Sequence, residues 1–308
     1  NSCRFNDGDS AYMTRAFDAA QTSTSIFTIS VWVKRGILGT RQSIFAAYDG
    51  SSEAGDDLEF ETDDTLSYNG SGSSSSKLNT TSAVFRDPSA WYNIIVARNS
   101  GASGAANQVK IYVNGVLQTL SANGGCDTSQ FLRNGLNSRI GSNQSGGDYF
   151  VDMYMAEFVA IDGQMLDHTS FGEFDSDSPT IWKPKDPSGL TFGDNGFYLD
   201  FEDSGDLGDD ESGNTNDFTE SNLDATDQAT DTPTNNFATL NPLDNYYGGA
   251  TFAEGNCKVT TSTDSVSTST IGVSKGKWYF EGKFTDIGGE SAVIGITDAP
   301  QLASDAEL

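Results

Sequence analysis

The stretch at 56–64, "DDLEFETDD", sets carboxylates at alternate positions. On a β-strand, successive side chains point to opposite faces. Glu59, Glu61 and Asp63 would then share one face, with Leu58 and Phe60 on the other. Retaining cleavage of a glycosidic bond needs two carboxyl groups about 5–5.5 Å apart, one as nucleophile and one as acid/base. Glu59 and Glu61 are the pair that could do this work. The same pattern also describes the solvent face of a half-buried strand whose Leu58 and Phe60 fill a core. "TDDT" reads as a hairpin turn, which moves Asp63 to the strand end. The solvent-face reading is the simpler one, and no catalytic residue is assigned.

Such a row needs a sheet to hold it, and the sequence supplies strands. Short apolar alternations recur between Gly, Ser, Thr, Asn and Asp clusters, which is an all-β pattern. "SIFTISVWVKR" puts Phe27, Ile29, Val31 and Val33 on one face and Ile26, Thr28 and Ser30 on the other. "SIFAAYD", "TLSYNG", "WYNIIVAR" and "DMYMAEFVAIDG" add further strands. In "QVKIYVNGVLQTL", Asn114-Gly115 sits between two such runs and predicts a tight hairpin. Trp32, Trp91 and Trp278 fall in alternating runs and are expected in cores.

The 308 residues are enough for two domains. The first 175 read as one antiparallel β-sandwich. Residues 176–241 read as an acidic, partly ordered connector, without Lys or Arg between Pro187 and Asn256. Phe197, Tyr198, Leu199 and Phe201 could dock part of it, and Trp182 could pin it to the sandwich. Its acids miss the EF-hand register, so a solvated linker is expected ahead of a calcium loop. Strands return in 242–308, too few to close a sandwich, so that part reads as an incomplete second β domain. The chain starts at Asn1 without Met and stops at "DAEL"; both ends read as cuts within a longer protein.

A formal net charge of −27 repels nucleic acid and excludes it as an expected partner. No apolar run reaches membrane-spanning length. Cys3, Cys126 and Cys257 are too scattered for a disulfide framework, and one histidine, His168, cannot build a His-based metal centre. His168 is expected to pack or lie on the surface.

"WYNIIVAR…QVKIYVNGVL" followed by "RIGS…DYFVDMYMAEFVAIDGQML" resembles the laminin-G-like, concanavalin A-like jelly-roll sandwich. "GNCKVTTSTDSVSTSTIGVSKGKWYFEGKF…AVIGITDA" resembles the opening strands of a SPRY domain. The whole order, with "WKPKDPSG…NGFYLDF" and "DTPTNNFATLNP" between, resembles virion proteins of marine tailed bacteriophages. That resemblance implies a non-enzymatic fibre or adhesin on the virus particle, bound to other virion proteins and to itself, with a trimer as the guess. Host-surface glycans are the implied outside partner. A capsid head-fibre or decoration role, and a glycoside hydrolase using Glu59 and Glu61, remain as alternatives.

Similarity to the pentraxin branch implies calcium at the sandwich rim, although no cofactor is required. Asp56 and Asp57 match its acidic pair, and Asn143, Gln144 and Asp148 fall at its second loop, with Asp49 a further rim candidate. Tyr48, Tyr68 and Tyr149 lie near expected loops and could form a sugar platform. Packing or subunit contact is the plainer role for all three.

Overall fold

The computed structural model describes residues 1–48, 55–70, 78–129, 131–143, 149–288 and 291–297. In chain order the strands begin with β1 (Ser2–Phe5), β2 (Tyr12–Ala16), β3 (Ile26–Arg35), β4 (Gln42–Tyr48), β5 (Gly55–Phe60) and β6 (Thr65–Gly70). Then come β7 (Leu78–Val84), β8 (Trp91–Asn99), the one-turn α1 (Ala105–Gln108), β9 (Val109–Val113), β10 (Val116–Leu117) and β11 (Leu120–Asn123). β12 (Asn137–Ile140), β13 (Met153–Asp162), β14 (Gly172–Phe174), β15 (Trp182–Pro184), β16 (Phe197–Leu199), β17 (Thr219–Ser221) and β18 (Gln228–Ala229) follow. The last four are β19 (Leu240–Tyr246), β20 (Ala250–Ala253), β21 (Lys258–Thr261) and β22 (Val266–Ser269).

Two antiparallel sheets of eight strands form the sandwich. The first runs β10-β9-β8-β3-β13-β1-β18, with β16 also paired to β13. The second runs β11-β7-β6-β5-β4-β12-β2-β17. Between them lie Phe27, Ile29, Val31 and Val33 of β3, as the alternation predicts, facing Phe45, Leu58, Leu66 and Tyr68 of the second sheet. Phe45 touches Phe131, Phe158 and Phe197, with ring centroids 4.5–5.9 Å apart. Aromatic burial of this kind is the main favourable term for such a sandwich.

The acidic stretch after residue 175 is not a solvated linker. Its short apolar runs complete both sheets: β16 and β18 join the first, and β17 joins the second. Phe197, Leu199, Phe201, Leu207 and Phe218 are buried in the same core as the first 175 residues. Asp210 shows how the acids are used. It accepts hydrogen bonds from the backbone N–H groups of Tyr198, Ser212 and Asn216, which fixes a loop that has no ladder of its own. Asp186, Asp200, Asp203 and Asp224 each accept a backbone N–H two residues on, so these acids also shape turns.

This wrapping covers the outer face of the first sheet. Ile95, Val159, Ile161, Phe171 and Phe192 form one buried layer there, and Trp32, Trp91, Tyr154 and Trp182 another. Trp182 docks as expected, its indole N–H donating to Asn93 Oδ1 at 2.9 Å. His168 packs between Tyr112 and Trp182, with ring centroids 4.8 and 5.6 Å away. The expected hairpin at Asn114-Gly115 is present, both residues with positive φ (48° and 75°), joining β9 to β10. A Cβ on Gly115 would sit 2.6 Å from the Trp182 ring. Gly115→Ala should therefore cost about 1–2 kcal/mol, from the left-handed backbone and the crowded indole together. Chemical denaturation checks this, and an unchanged midpoint would refute the close fit.

The C-terminal part departs from the strand pattern. β19 pairs with β22 and β20 with β21, as two separate two-stranded sheets. Among the described residues after Ser269 there are no strands, although "GKWYFEGKF" and "AVIGITDA" alternate as strands would. Trp278, expected in a core, is 68% exposed, because no second sheet is paired over its face among the described residues.

Candidate functional site

With the first sheet covered, the outer face of the second sheet is the place where polar side chains gather. The strand register fixes the rows. Asn69, Asp57, Ala46, Arg139 and Thr14 lie side by side across β6, β5, β4, β12 and β2. Thr80, Ser67, Glu59 and Ser43 form the neighbouring row. Directly opposed positions share a face in an antiparallel sheet, so these are two polar rows on one surface.

Asp57 and Glu59 are the centre of this surface, and both are buried. Asp57 accepts from the Ser43 hydroxyl at 2.6 Å and from the Asn143 amide at 2.9 Å. Burial, followed by repulsion from Glu59, holds its carboxyl well above the usual carboxylate range. Glu59 is gripped by Arg41, whose Nε and Nη2 donate to its two oxygens at 2.5 and 2.6 Å. Burial pushes the Glu59 carboxyl up and the Arg41 fork pulls it down. The Glu59 hydrogen bonds raise the pKa of Arg41, which is thereby fixed as a cation. Arg41 also lies over the Tyr149 ring, 4.4 Å from its centroid. Arg139 lies over Tyr12 at 4.3 Å. Each arginine thus sits over an aromatic ring, a cation–π arrangement that helps position both partners.

The carboxylate row differs from the one expected. β5 ends at Phe60, and Glu61 begins the turn, its N–H bonded to the Thr65 carbonyl at 2.9 Å. Asp63 belongs to that turn, accepting from the Thr65 hydroxyl and N–H. The carboxylates that share the strand face are therefore Asp57 and Glu59. Glu61, two residues on at the start of the turn, still acts on this cluster: its charge helps push the Glu59 carboxyl up.

Asp56 points the other way, as adjacent strand residues must. It accepts from Ser129 Oγ, from the Phe131 N–H at 3.3 Å and from Arg98 Nη1 at 3.5 Å, all inside the sandwich. The Asp56–Asp57 pair therefore cannot hold one calcium ion: its carboxylates lie on opposite faces. Of the remaining calcium candidates, Asn143 meets Asp57 through its amide N–H, which donates to the carboxylate at 2.9 Å. Asp49, Gln144 and Asp148 lie outside the described residues. Among the described residues no three acids, cysteines or histidines gather as metal ligands. Among the described residues, the side chains do not assemble the implied calcium site.

The tyrosines separate as well. Tyr68 is buried, its hydroxyl accepting from Arg98 at 3.1 Å, so it belongs to the core and not to a sugar platform. Burial holds its phenol well above the usual range. Tyr149 does lie on the polar surface, on Arg41. Tyr48 ends β4, and its side chain lies outside the described residues. Arg41, Ser43, Arg139 and Tyr12 were not singled out from sequence. They meet the carboxylates through cross-strand register, which leaves no local motif.

A protein-family model described as Laminin_G_3, of the concanavalin A-like lectin/glucanases superfamily, matches residues 7–165. Among curated proteins, none matches the chain. Similar solved structures include a heptameric pentraxin of Limulus polyphemus: 14% identity, 55% of this chain and 78% of that one, TM-score 0.42. A candidate carbohydrate-binding protein of Bacteroides ovatus is 16% identical over 72% of this chain and 60% of its own, with TM-score 0.45. Domains LG4-5 of the mouse laminin α1 chain are 11% identical over 54% of this chain and 43% of theirs, with TM-score 0.40.

Proposed function

The chain belongs to the concanavalin A-like lectin/glucanases superfamily, and from that premise we propose that it binds saccharide, without cleaving it, on the outer face of its second sheet. One observation carries this reading: Glu59 held in the Arg41 fork, beside Asp57, with Arg41 over the Tyr149 ring. Saccharide recognition needs hydroxyl-matching polar groups in fixed positions beside an aromatic surface. Arg41, Asn69, Thr80 and Thr14, which keep exposure on this face, supply the former, with the buried carboxylates holding Arg41 in place, and Tyr149 supplies the latter.

Binding is favoured over hydrolysis by the state of Glu59. Both its oxygens accept from Arg41, so Glu59 is engaged in a bidentate ion pair that positions Arg41. The hydrolase alternative, using Glu59 and Glu61, gains Asp57 as a third carboxylate beside Glu59 on the strand face. Its support is the upward shift of the Asp57 carboxyl, which would suit an acid.

The finer reading is display on a phage particle, as a fibre or adhesin that meets host-surface glycans, self-associated as a trimer and joined to other virion proteins. It rests on the order of sequence segments that resembles marine phage virion proteins. The polar outer face suits display, and a capsid decoration role would leave it without a ligand.

A screen of immobilised glycans tests the binding reading. The native chain should bind at least one saccharide class. Arg41→Lys keeps the charge but loses the fork, and Tyr149→Ala removes the ring. Each should weaken binding about tenfold or more, roughly 1.4 kcal/mol, with an unchanged unfolding midpoint. Cleavage of the bound glycan, lost on Asp57→Asn, would move the chain to the hydrolases. Binding unaffected by either variant would remove this face from the account.

A further inference from the structure

Where β20 turns into β21, residues 254–257 lie against the start of β13. The Gly255 N–H donates to Asp152 Oδ1 at 3.3 Å, the Tyr154 hydroxyl donates to the Gly255 carbonyl at 3.3 Å, and the Asn256 amide donates to the Gly36 carbonyl at 3.0 Å. Arg4 of β1 pairs with Glu254 at 3.0 Å. The fit is close. A Cβ on Gly36 would come within 2.8 Å of the Asp152 carboxyl, and one on Gly255 within 2.3 Å of the Tyr154 ring.

This junction holds two unmatched oxygens. Asp152 is fully buried and Asn256 nearly so. Among the described residues, Asp152 Oδ2 and Asn256 Oδ1 have no hydrogen-bond partner. Buried acceptors without donors are costly. A proton on Asp152 turns one of the two from an acceptor into a donor and removes a buried charge in the same step. Burial, followed by repulsion from Asp7, pushes the Asp152 carboxyl up to about 7. The Gly255 N–H and Arg4 act against that rise, and Glu254 adds to it. Tyr154 and Cys257, the other titratable neighbours, contact each other at 3.2 Å beside Gly255.

We propose that the turn at 254–257 is a proton-dependent latch, docked on the sandwich while Asp152 is protonated and released as Asp152 ionises. Opening hydrates the carboxyl and returns it toward its ordinary value of about 4. The docked form thus binds the proton more tightly. Docking is strongest at low pH and weakens as pH rises from about 4 through about 7. The latch also bears on the C-terminal strands, because the Asn256 carbonyl accepts from the Leu240 N–H at the start of β19 at 3.0 Å. Release at Asp152 would loosen both small sheets from the sandwich.

Amide hydrogen exchange across 254–258, expressed relative to intrinsic rates, tests the latch. In the native chain protection should fall about tenfold or more between pH 5 and pH 8. In Asp152→Asn, which accepts the Gly255 N–H but cannot ionise, protection should stay level. The carbon-13 signal of the Asp152 carboxyl should titrate near pH 7 in the native chain, a reading that needs no variant. Level protection in the native chain, an equal fall in the variant, or a carboxyl midpoint below pH 5 would each overturn the proposal.

Discussion

Asp56→Ala destabilises the sandwich by about 3–5 kcal/mol, the usual cost of removing one partner from a buried ion pair. Arg98 is the reason. It projects from β8 into the interior and is fully buried there. Its guanidinium reaches Asp56 Oδ2, the Tyr68 hydroxyl and the Asp127 carbonyl. Burial alone would lower its pKa, but Tyr68 and Asp56 carry it upward, so the cation stays. Without Asp56 a charge is left in the core, the Ser129 hydroxyl loses its acceptor, and the Phe131 N–H keeps only Ser129 Oγ. Urea denaturation measures the loss. Asp56→Leu combined with Arg98→Met should recover much of it, since an apolar pair of similar volume avoids the desolvation cost. A calcium-ligand role for Asp56 predicts otherwise: its loss would matter only when calcium is present.

Asp231→Ala should cost a similar amount, about 3–5 kcal/mol, through a different part of the fold. Lys34 faces outward from β3, yet it is buried. Its ammonium donates to Asp231 Oδ2 at 2.7 Å, Asn236 Oδ1 at 2.8 Å and the Phe237 carbonyl at 2.6 Å. The Trp91 indole N–H donates to the other Asp231 oxygen at 2.9 Å. Asp231 is thus the clasp that closes the wrapping segment over Trp32, Trp91 and Trp182. Removing it strands a buried ammonium and an indole N–H together. The expected result is a lower urea midpoint, with faster amide exchange across 228–239. If the segment were a solvated linker, the same change would leave the midpoint where it was.

The sequence made the inner faces legible and the wrapping illegible, for physical reasons. Strict alternation in β3 assigned Phe27 to Val33 to the core, because burial on one face leaves a period of two. Asn114-Gly115 announced its hairpin through the positive φ that both residues adopt. The segment 176–241 carries no such period. It is held by single aromatic anchors and by aspartates that cap loop N–H groups, and that composition is also the signature of disorder. In the opposite direction, "GKWYFEGKF" alternates well but has no sheet to join among the described residues, and its aromatics lie exposed. Alternation reports a strand's preference, and pairing decides whether the strand forms.

The candidate site was half visible. "DDLEFETDD" contains Glu59 and Glu61, read from the alternation, and also Asp57, which the count of that row left out. Arg41 lies on the facing strand side of the site and Tyr149 far along the chain; only folding brings them to Glu59.

The central claim is that the outer face of the second sheet meets saccharide. Titrating the isotope-labelled chain with the saccharide recovered from the glycan screen, and following backbone amide shifts, tests it most directly. The account predicts shifts concentrated at Ser43, Asp57, Glu59, Ser67, Asn69 and Tyr149, with the interior and the first sheet quiet. Shifts confined to the first sheet or to the wrapping segment, with Asp57 and Glu59 unmoved, would contradict it.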